Sequence, residues 1–296
     1  RPSGVGRSEY DGGMRTASVA GRYDLHTHSS LSDGTTSPDA LVEEAAALGL
    51  AGIALTDHDT SDGWAPARLA ARAHGIDLLP GIELTTRDGG RSTHLLAYGP
   101  DPEHAELANA MHRVRDARIA RARRMVKRLS ADYRIEWDEV VLSTDARTVG
   151  RPHIADALVR AGHFADRSAA FREVLHPGSV YYESTFAIDT VEAIGIVRDA
   201  GGVPVLAHPA AGRQREAVTE GSLRRFAEAG LWGIELDHPE NREDWLPRLR
   251  ELSAQYGLEV TGASDYHGAG KTNRMGERTS SAELVGRIRA EVVNPY

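Results

Sequence analysis

Seven short apolar runs, mostly separated by helical patterns, constrain the fold of this chain more than any other feature. They are nearly continuous in apolar residues, as expected of strands that are buried on both faces of a sheet. The runs lie at about 22–25, 52–56, 77–84, 93–98, 203–207, 233–236 and 258–262. Strands that alternate with helices predict a parallel sheet, either closed into a barrel or open and doubly wound.

The segments between these runs carry helix start and stop signals. Ser37 and Pro38 open one helix, which is predicted to end at Gly49. A second helix is predicted over 188–200, where two glycines end it and the next strand follows at once. Helices are also predicted at 222–229 and 241–256. Strand and helix therefore alternate along most of the chain.

Residues 101–190 interrupt this alternation, because their pattern is mostly helical and shows no central strand. We predict that they form a helical insertion domain in a barrel made of residues 21–100 and 191–296. The longest helix, at about 103–130, is amphipathic and rich in arginine. Its charged face is interpreted as solvated, and a basic wall that guides a polyphosphate or short RNA is the alternative. Residues 1–20, rich in Gly, Ser and Arg, are predicted to be a disordered leader.

Composition narrows the class of protein. The 296 residues are 41% hydrophobic and 26% charged, as in ordinary globular proteins, and no stretch approaches the roughly 20 apolar residues of a membrane span. Because cysteine is absent, any metal must be held by His, Asp or Glu, and we expect a cytoplasmic location. The net charge of −8 argues against tight binding of long nucleic acid but not against a small phosphate ester.

Imidazole and carboxylate side chains recur at the ends of the apolar runs. His26 and His28 are two residues apart, so both rings point the same way in an extended chain and can converge on one ion. The full set is His26, His28, Asp33, His58, Glu83, His94, His208, Asp265 and His267. Carboxylates gathered at one barrel mouth would repel one another unless cations neutralised them. Since α/β barrels place their chemistry at that mouth, the set favours a closed barrel and predicts a multinuclear metalloenzyme.

The motifs around these residues resemble those of the PHP superfamily, which is named for polymerase and histidinol phosphatase. HTHSSLSDG, ALTDHDT, PGIEL, HLLAYG, LAHP and SDYH occur in the family's order over residues 22–268. The segments GRPHIADALV and GIELDHPEN further resemble a branch of small bacterial phosphoesterases. Members of that branch act on AMP-like or nucleoside 3′,5′-bisphosphate substrates, and some also trim RNA from its 5′ end. The resemblance implies an α/β fold with a distorted seven-stranded barrel.

The resemblance also implies three divalent metal ions. It assigns their ligands as His26, His28, Glu83 and Asp265 for the first, Glu83 as a bridge with His94 and His208 for the second, and Asp33, His58 and His267 for the third. Many relatives have a histidine where this chain has Asp33, and the harder carboxylate favours Mn²⁺ or Fe²⁺ over Zn²⁺. Asp57, beside His58, is expected to accept a hydrogen bond from a ligand imidazole.

A metal-activated hydroxide is the nucleophile that such a centre implies. Bound divalent ions lower the pKa of water from about 15.7 to about 7, and hydroxide could then attack phosphorus in line. Arg151, His153 and His238 are predicted to bind the substrate phosphate. Arg151 and His238 are also predicted to act in catalysis, His238 by protonating the leaving group. Arg213 and Lys271 are further candidates for phosphate contacts.

The predicted function is a metal-dependent phosphoesterase that releases phosphate from nucleotides, with 5′–3′ trimming of short RNA as an additional activity. Histidinol-phosphate phosphatase is the nearest alternative. A metal-dependent amidohydrolase also starts its barrel with HxH, but it usually needs a lysine on a strand, and this chain contains only Lys127 and Lys271. An inactive PHP module that serves as a binding scaffold would typically have lost metal ligands. The expected partners are small phosphorylated nucleotides or short RNA 5′ ends, with no membrane and no obligate protein partner.

Overall fold

A computed structural model describes residues 21–141, 148–212 and 216–293 of the chain. The described strands are β1 (Arg22–Thr27), β2 (Gly52–Leu55), β3 (Asp77–Asp88), β4 (Arg91–Tyr98), β5 (Ile188–Asp189), β6 (Val203–Leu206), β7 (Gly233–Asp237), β8 (Glu259–Gly262) and β9 (Ser280–Ser281). All seven predicted strands are confirmed. The two-residue strands β5 and β9 were not predicted, and the proposed leader at 1–20 lies outside the described residues.

Helices occupy most of the connections between these strands. They are α1 (Pro38–Ala47), α2 (Trp64–His74), α3 (Ala105–Leu129), α4 (Trp137–Val141), α5 (Arg151–Arg160), α6 (Arg167–Ala170), α7 (Thr190–Asp199), α8 (Glu220–Glu228), α9 (Leu246–Gln255) and α10 (Ala282–Glu291). A π-helical turn at Phe171–Leu175 follows α6, and 3₁₀ turns lie at Glu243–Trp245 and Gly268–Gly270. Within the described ranges, no helix has both the length and the apolar character needed to cross a membrane.

The strands form one sheet that nearly closes into a barrel. Their order is β8-β7-β6-β4-β3-β2-β1-β9, and β5 pairs with β3 beside this path. A bridge between Thr27 and Tyr266 joins the end of β1 to the loop after β8. Ser280 of β9 also exchanges hydrogen bonds with the backbone of Gly262 at the end of β8. The predicted α/β barrel is thus confirmed, although the strand count differs from seven.

The expectation of parallel pairing is wrong around β4. This strand pairs antiparallel with both β3 and β6. The reason is the tight turn at Gly89 and Gly90, where a φ of +57° at Gly89 lets the chain reverse without an intervening helix. Because β4 runs against its neighbours, His94 near its start faces the same mouth as the ends of the parallel strands.

Apolar side chains pack against both faces of the barrel wall. One cluster fills the inside of the barrel, where α10 contributes Val285 and Ile288. The other packs the helices onto the outside of the sheet and includes the first half of α3, from Leu107 to Val114. A further cluster lies within residues 122–175 and includes the second half of α3. The division into a barrel and an inserted helical domain stays a prediction.

Candidate metal centre

All nine predicted ligand residues converge at one mouth of the barrel, and all but the partly exposed His94 are buried. Their ligand atoms form overlapping groups in which each atom lies within 4.8 Å of the others. Three of these groups consist of predicted ligands: His26, His28, Glu83 and Asp265; His28, Asp33, His58 and His267; and His58, Glu83 and His94. The Nε2 atom of His208 lies 3.0 Å from Oε1 of Glu83. Such clusters could bind metal ions.

Glu83 lies at the centre of this arrangement. Its Oε1 is 2.7 Å from Nδ1 of His94 and 3.0 Å from Nε2 of His208. Its Oε2 is 3.2 Å from both Nε2 of His28 and Nδ1 of His58. The two oxygens therefore face two different sets of imidazoles, an arrangement suited to a carboxylate shared between two cations.

The backbone explains how Glu83 reaches this position. The sequence predicted a strand that ends beside it, but β3 continues to Asp88. Residues Asp77–Pro80 pair with β2, and β3 then pairs with β4 from Gly81 onward. Glu83 thus lies just past the point where β3 changes partners.

Asp57 shapes the loop that carries His28 and Asp33. Its carboxylate accepts hydrogen bonds from the backbone N–H of Ser29 at 2.7 Å and from the hydroxyls of Ser29 and Ser32 at 2.6 Å. Ser32 Oγ lies 3.4 Å from Nδ1 of His28, so Asp57 reaches that imidazole through one hydroxyl rather than directly. Asp57 therefore organises the loop, and its predicted contact with an imidazole is indirect.

Hydrogen bonds on the outer nitrogens fix the orientation of two rings. Nδ1 of His267 donates to the carbonyl of Asp265 at 2.8 Å, and Nδ1 of His26 lies 3.1 Å from Oε1 of Glu235. In both rings Nε2 is left facing the mouth, as in metal-binding histidines with an outer acceptor.

Several buried polar atoms at the mouth have no hydrogen-bond partner. They are Nε2 of His26, His28 and His238, Nδ1 of His58, and one carboxylate oxygen each of Asp33 and Asp265. Buried polar groups are almost always satisfied, so a cluster of unsatisfied nitrogen and oxygen atoms favours the binding of cations here. The residues present therefore fit divalent metal ions.

The close packing of carboxylates and imidazoles shifts the pKa values of several groups in the site. Burial opposes ionisation of Asp265, but the positive charges of Lys271 and His26 hold its pKa well below the usual range. Burial likewise opposes protonation of His28, yet the nearby carboxylates of Asp265 and Glu83 raise the pKa of His28 to about 9. Nζ of Lys271 lies 2.5 Å from Asp265 Oδ2. Lys271 and the neighbouring imidazoles thus offset the charge of these carboxylates, and metal ions would compete with any protons on the rings.

The backbone is strained at this mouth. In the described ranges, the non-glycine residues with a positive φ are Asp59 at 53°, His208 at 28° and Asp265 at 56°. Such conformations are costly for residues with a side chain and cluster at functional sites. Two of the three belong to the predicted ligand set, and Asp59 follows His58 directly.

Glu235 is a functional candidate that the sequence reasoning missed. It lies inside β7, is fully buried, and accepts the backbone N–H of His208 at 2.9 Å. With His26 and His238 it forms a further group of potential metal ligands. The available signal was a charged residue within the otherwise apolar run GIEL.

His238 has a defined tautomer. Its Nδ1 accepts the backbone N–H of Glu240 at 3.1 Å, so in the neutral ring the proton is on Nε2. Nε2 points into the site, 3.6 Å from Oδ2 of Asp265. The structure therefore brings His238 to the mouth as a potential proton donor.

Arg151 and His153, the other predicted phosphate contacts, lie at the start of α5. His153 accepts the N–H of Gly150 at Nδ1 and lies 2.8 Å from the carbonyl of Ser32 through Nε2. Both of its nitrogens are thus engaged by the backbone, and the ring ties α5 to the loop before Asp33. Nη1 of Arg151 donates to the carbonyl of Leu175 at 3.0 Å. Binding of substrate by these two residues stays a prediction, and Arg213 lies outside the described residues.

Sequence comparisons identify relatives along most of the chain. A 3′,5′-nucleoside bisphosphate phosphatase from Chromobacterium violaceum is 33% identical over 258 residues, covering 85% of this chain and 89% of the relative. A phosphoribosyl 1,2-cyclic phosphate 1,2-diphosphodiesterase from Eggerthella lenta is 30% identical, covering 86% of this chain and 98% of the relative. A 5′-3′ exoribonuclease from Haemophilus influenzae is also 30% identical, with 83% and 90% covered.

Solved structures and a family model agree with these relatives. A protein from Bifidobacterium adolescentis, assigned as a metal-dependent phosphoesterase, superposes with a TM-score of 0.90 at 41% identity, covering 92% of this chain and 96% of that one. A protein from C. violaceum named an amidohydrolase, solved with bound sulfate, has a TM-score of 0.81 at 31% identity, with 93% and 98% covered. The model of the PHP domain matches residues 24–176. The chain therefore belongs to the PHP family and is a phosphoester hydrolase.

Proposed function

We propose that this enzyme hydrolyses a phosphate group from nucleoside 3′,5′-bisphosphates or AMP-like nucleotides, using three divalent ions held by the nine converging residues. The observation that carries the proposal is the set of buried, unsatisfied nitrogen and oxygen atoms that face one another at the barrel mouth. The bisphosphate phosphatase of C. violaceum supports the choice of substrate.

We assign the metal ligands as the resemblance implies, with Mn²⁺ or Fe²⁺ favoured and Zn²⁺ accepted. The grouping of ligand atoms supports a first site of His26, His28, Glu83 and Asp265 and a third that includes Asp33, His58 and His267. The second site consists of Glu83, His94 and His208. His58 lies close to both Asp33 and Glu83, so its ring stands between two of the proposed sites.

When bound, divalent ions supply positive charge that acidifies a water nucleophile and offsets charge on the phosphoryl oxygens. The protein's own groups supply the rest. Glu235 orients the ring of His26, and Asp57 holds the loop of His28 and Asp33 in place. His238 offers its Nε2 proton to the leaving-group oxygen. Lys271 pairs with Asp265 and offsets the charge of that carboxylate, and we infer that it also contacts a phosphoryl oxygen.

Trimming of RNA from its 5′ end is a second activity that one surface favours. The exposed side of α3 carries several cationic side chains, and Arg113 lies 4.6 Å above the exposed ring of Phe186. A cation stacked on an aromatic ring is a platform suited to single-stranded RNA. The exoribonuclease of H. influenzae supports testing this activity.

The amidohydrolase alternative lacks its usual lysine ligand. Lys127 lies on α3, and Lys271 follows the 3₁₀ turn after β8, so neither is on a strand. The inactive-scaffold alternative conflicts with the presence of all nine predicted ligand residues at the mouth. Histidinol phosphate remains the alternative to be tested directly.

The decisive experiment measures phosphate release with Mn²⁺ from AMP, adenosine 3′,5′-bisphosphate, histidinol phosphate and a short 5′-phosphorylated RNA. Each reaction has a chelated control, and metal content is measured on the same protein. We expect metal-dependent release from the bisphosphate or the RNA, and three ions per chain. Release from histidinol phosphate alone would overturn the proposed substrate class.

A further inference from the structure

Two side chains from α5 and α6 hold the loop that carries Asp33. Nε2 of His153, on α5, lies 2.8 Å from the carbonyl oxygen of Ser32. Nη1 of Arg167, the first residue of α6, donates to the carbonyl oxygen of Asp33 itself at 2.9 Å. Two successive peptide groups of the loop are therefore held by residues that lie more than a hundred positions further along the chain.

The ring of His153 makes its contact in one defined tautomer. Because Nδ1 accepts the backbone N–H of Gly150 at 3.0 Å, the proton of the neutral ring is on Nε2, which donates to Ser32. Burial lowers the pKa of His153 and so favours this neutral form. The ring thus connects the start of α5 to the loop in a fixed geometry.

The guanidinium of Arg167 is oriented by α5 and contacts a second loop. Its Nε and Nη2 donate to the two carboxylate oxygens of Asp156 at 2.5 and 2.6 Å, a paired geometry that fixes the plane of the group. A Cβ atom at Gly270, in the 3₁₀ turn that follows His267, would collide with Nη1 of Arg167. Arg167 therefore lies against both the loop of Asp33 and the loop of His267.

These two loops are also joined to each other. Thr35 donates its N–H to the carbonyl of His267 at 3.1 Å, and its Oγ1 accepts the N–H of Ala269 at 2.8 Å. Nε2 of His267 lies 3.1 Å from Oδ1 of Asp33. In the described part of the chain, no hydrogen bond fixes this carboxylate oxygen. The distance between these two predicted ligand atoms therefore depends on the backbone that carries them.

We propose that His153 and Arg167 are positioning residues for the third metal ion. By holding the backbone at Asp33, they keep its carboxylate in place relative to His58 and His267. A metal site loses affinity when its ligands must be ordered on binding, because that ordering costs conformational entropy. The inference rests on the proposed function, which includes the third ion, and gives His153 a role in the loop rather than at the substrate phosphate.

The test measures Mn²⁺ bound per chain by equilibrium dialysis of the full chain at graded Mn²⁺ concentrations. We expect Arg167→Gln to weaken one of the three sites by about 10- to 100-fold and to leave the other two unchanged. His153→Phe should weaken the same site, and Arg167→Lys should recover part of the loss. Arg160→Gln is the matched control, because Arg160 is exposed on α5 and also donates to a backbone carbonyl, that of Glu139 at 3.1 Å.

A ligand variant identifies which site is weakened. Asp33→Asn should lose the same ion, and adding Arg167→Gln to it should cause no further loss, because the two residues act on one site. The double variant of Arg167→Gln with Asp156→Asn removes the ion pair without leaving a lone carboxylate. It should show the same loss as Arg167→Gln alone.

Excess metal separates positioning from the other roles. Circular dichroism of Arg167→Gln should match that of the wild type, and about 100-fold more Mn²⁺ should restore its turnover, because the variant has lost affinity and no group that touches the substrate. If His153 instead bound the substrate phosphate, His153→Phe would raise KM at every Mn²⁺ concentration and keep all three ions.

Three results would overturn the proposal. They are equal weakening of all three sites, retention of three ions at wild-type affinity in both Arg167→Gln and His153→Phe, and a loss of turnover that excess Mn²⁺ does not restore. Fewer than three ions in the wild-type enzyme at saturating Mn²⁺ would instead refute the proposed three-ion centre.

Discussion

The carboxylate of Glu235 joins two predicted metal ligands, His26 on β1 and His208 just after the end of β6. Its Oε1 lies 3.1 Å from Nδ1 of His26, and its Oε2 accepts the backbone N–H of His208 at 2.9 Å. A single group inside β7 thus sets both the ring orientation of one ligand and the backbone position of another. Loss of an outer contact of this kind typically lowers metal affinity by about 10- to 100-fold.

Replacing Glu235 by Gln should weaken metal binding by about 10- to 100-fold, because the amide keeps the size of the side chain but loses the charge that orients His26. Competition with a fluorescent chelator measures the affinity directly. Glu228→Gln is the control, since Glu228 is exposed and its Arg224 partner is 3.9 Å away. An unchanged metal affinity in Glu235→Gln would show that this residue does not support the metal centre.

His238→Ala should lower turnover by about 100-fold or more while metal content stays unchanged. The variant loses the Nε2 proton that faces the site but none of the nine assigned ligands. Phosphate release and elemental analysis of the same sample provide both readouts. His112→Ala, at an exposed position of α3, is the control. Loss of metal instead would make His238 a ligand.

Asp265→Asn should abolish turnover and leave the fold intact. Asp265 lies within 3.4 Å of the ring nitrogens of His26 and His28, so its charge is central to holding a cation there. Circular dichroism checks the fold while phosphate release reports activity. Asp237→Asn, at a half-exposed ion pair with Arg278, should behave as wild type. A wild-type rate of phosphate release in Asp265→Asn would contradict the assignment of Asp265 as a metal ligand.

Gly34→Ala should destabilise the loop before α1, because a Cβ atom there would lie 2.3 Å from the carbonyl oxygen of His28. The expected loss is about 1–3 kcal/mol of unfolding free energy, with weaker metal binding. Gly90→Ala, in open space at the β3–β4 turn, should stay within about 0.5 kcal/mol of wild type. Chemical denaturation of both variants makes the comparison, and equal stability would contradict the close packing at Gly34.

Burial explains which parts of the fold could be predicted from sequence. The seven predicted strands lie in a sheet that is covered on both faces. Burial of both faces requires continuous apolar residues, and this pattern can be read from the sequence. Strands β5 and β9 have two residues each, too few for any periodicity. The glycine pair at Gly89 and Gly90 is a recognisable signal for a hairpin turn. The alternation of strands and helices along the rest of the chain nevertheless favoured parallel pairing.

Site residues that belong to a sequence motif could be predicted. Site residues whose role depends on tertiary packing could not. The converging ligands follow apolar runs in a recognisable order, whereas Glu235 looks like an ordinary strand residue until its partners are known. The charged face of the long helix was interpreted as solvated, but two of its arginines, Arg118 and Arg121, are buried. Their spacing from Val114 and Met125 places them on the apolar stripe, which a position-by-position comparison would have revealed.

The pairing of Tyr266 with β1 brings the two ends of the barrel sequence together. His28 donates its N–H to the carbonyl of Tyr266 at 2.8 Å, and Tyr266 donates to the carbonyl of His26 at 3.3 Å. On the ribosome, His26 and His28 emerge roughly 240 residues before Asp265 and His267, so a nascent or prematurely ended chain holds only part of the ligand set. A chain that ends before residue 265 therefore lacks part of the ligand set, and we expect its metal binding and hydrolysis to depend on completion of the barrel.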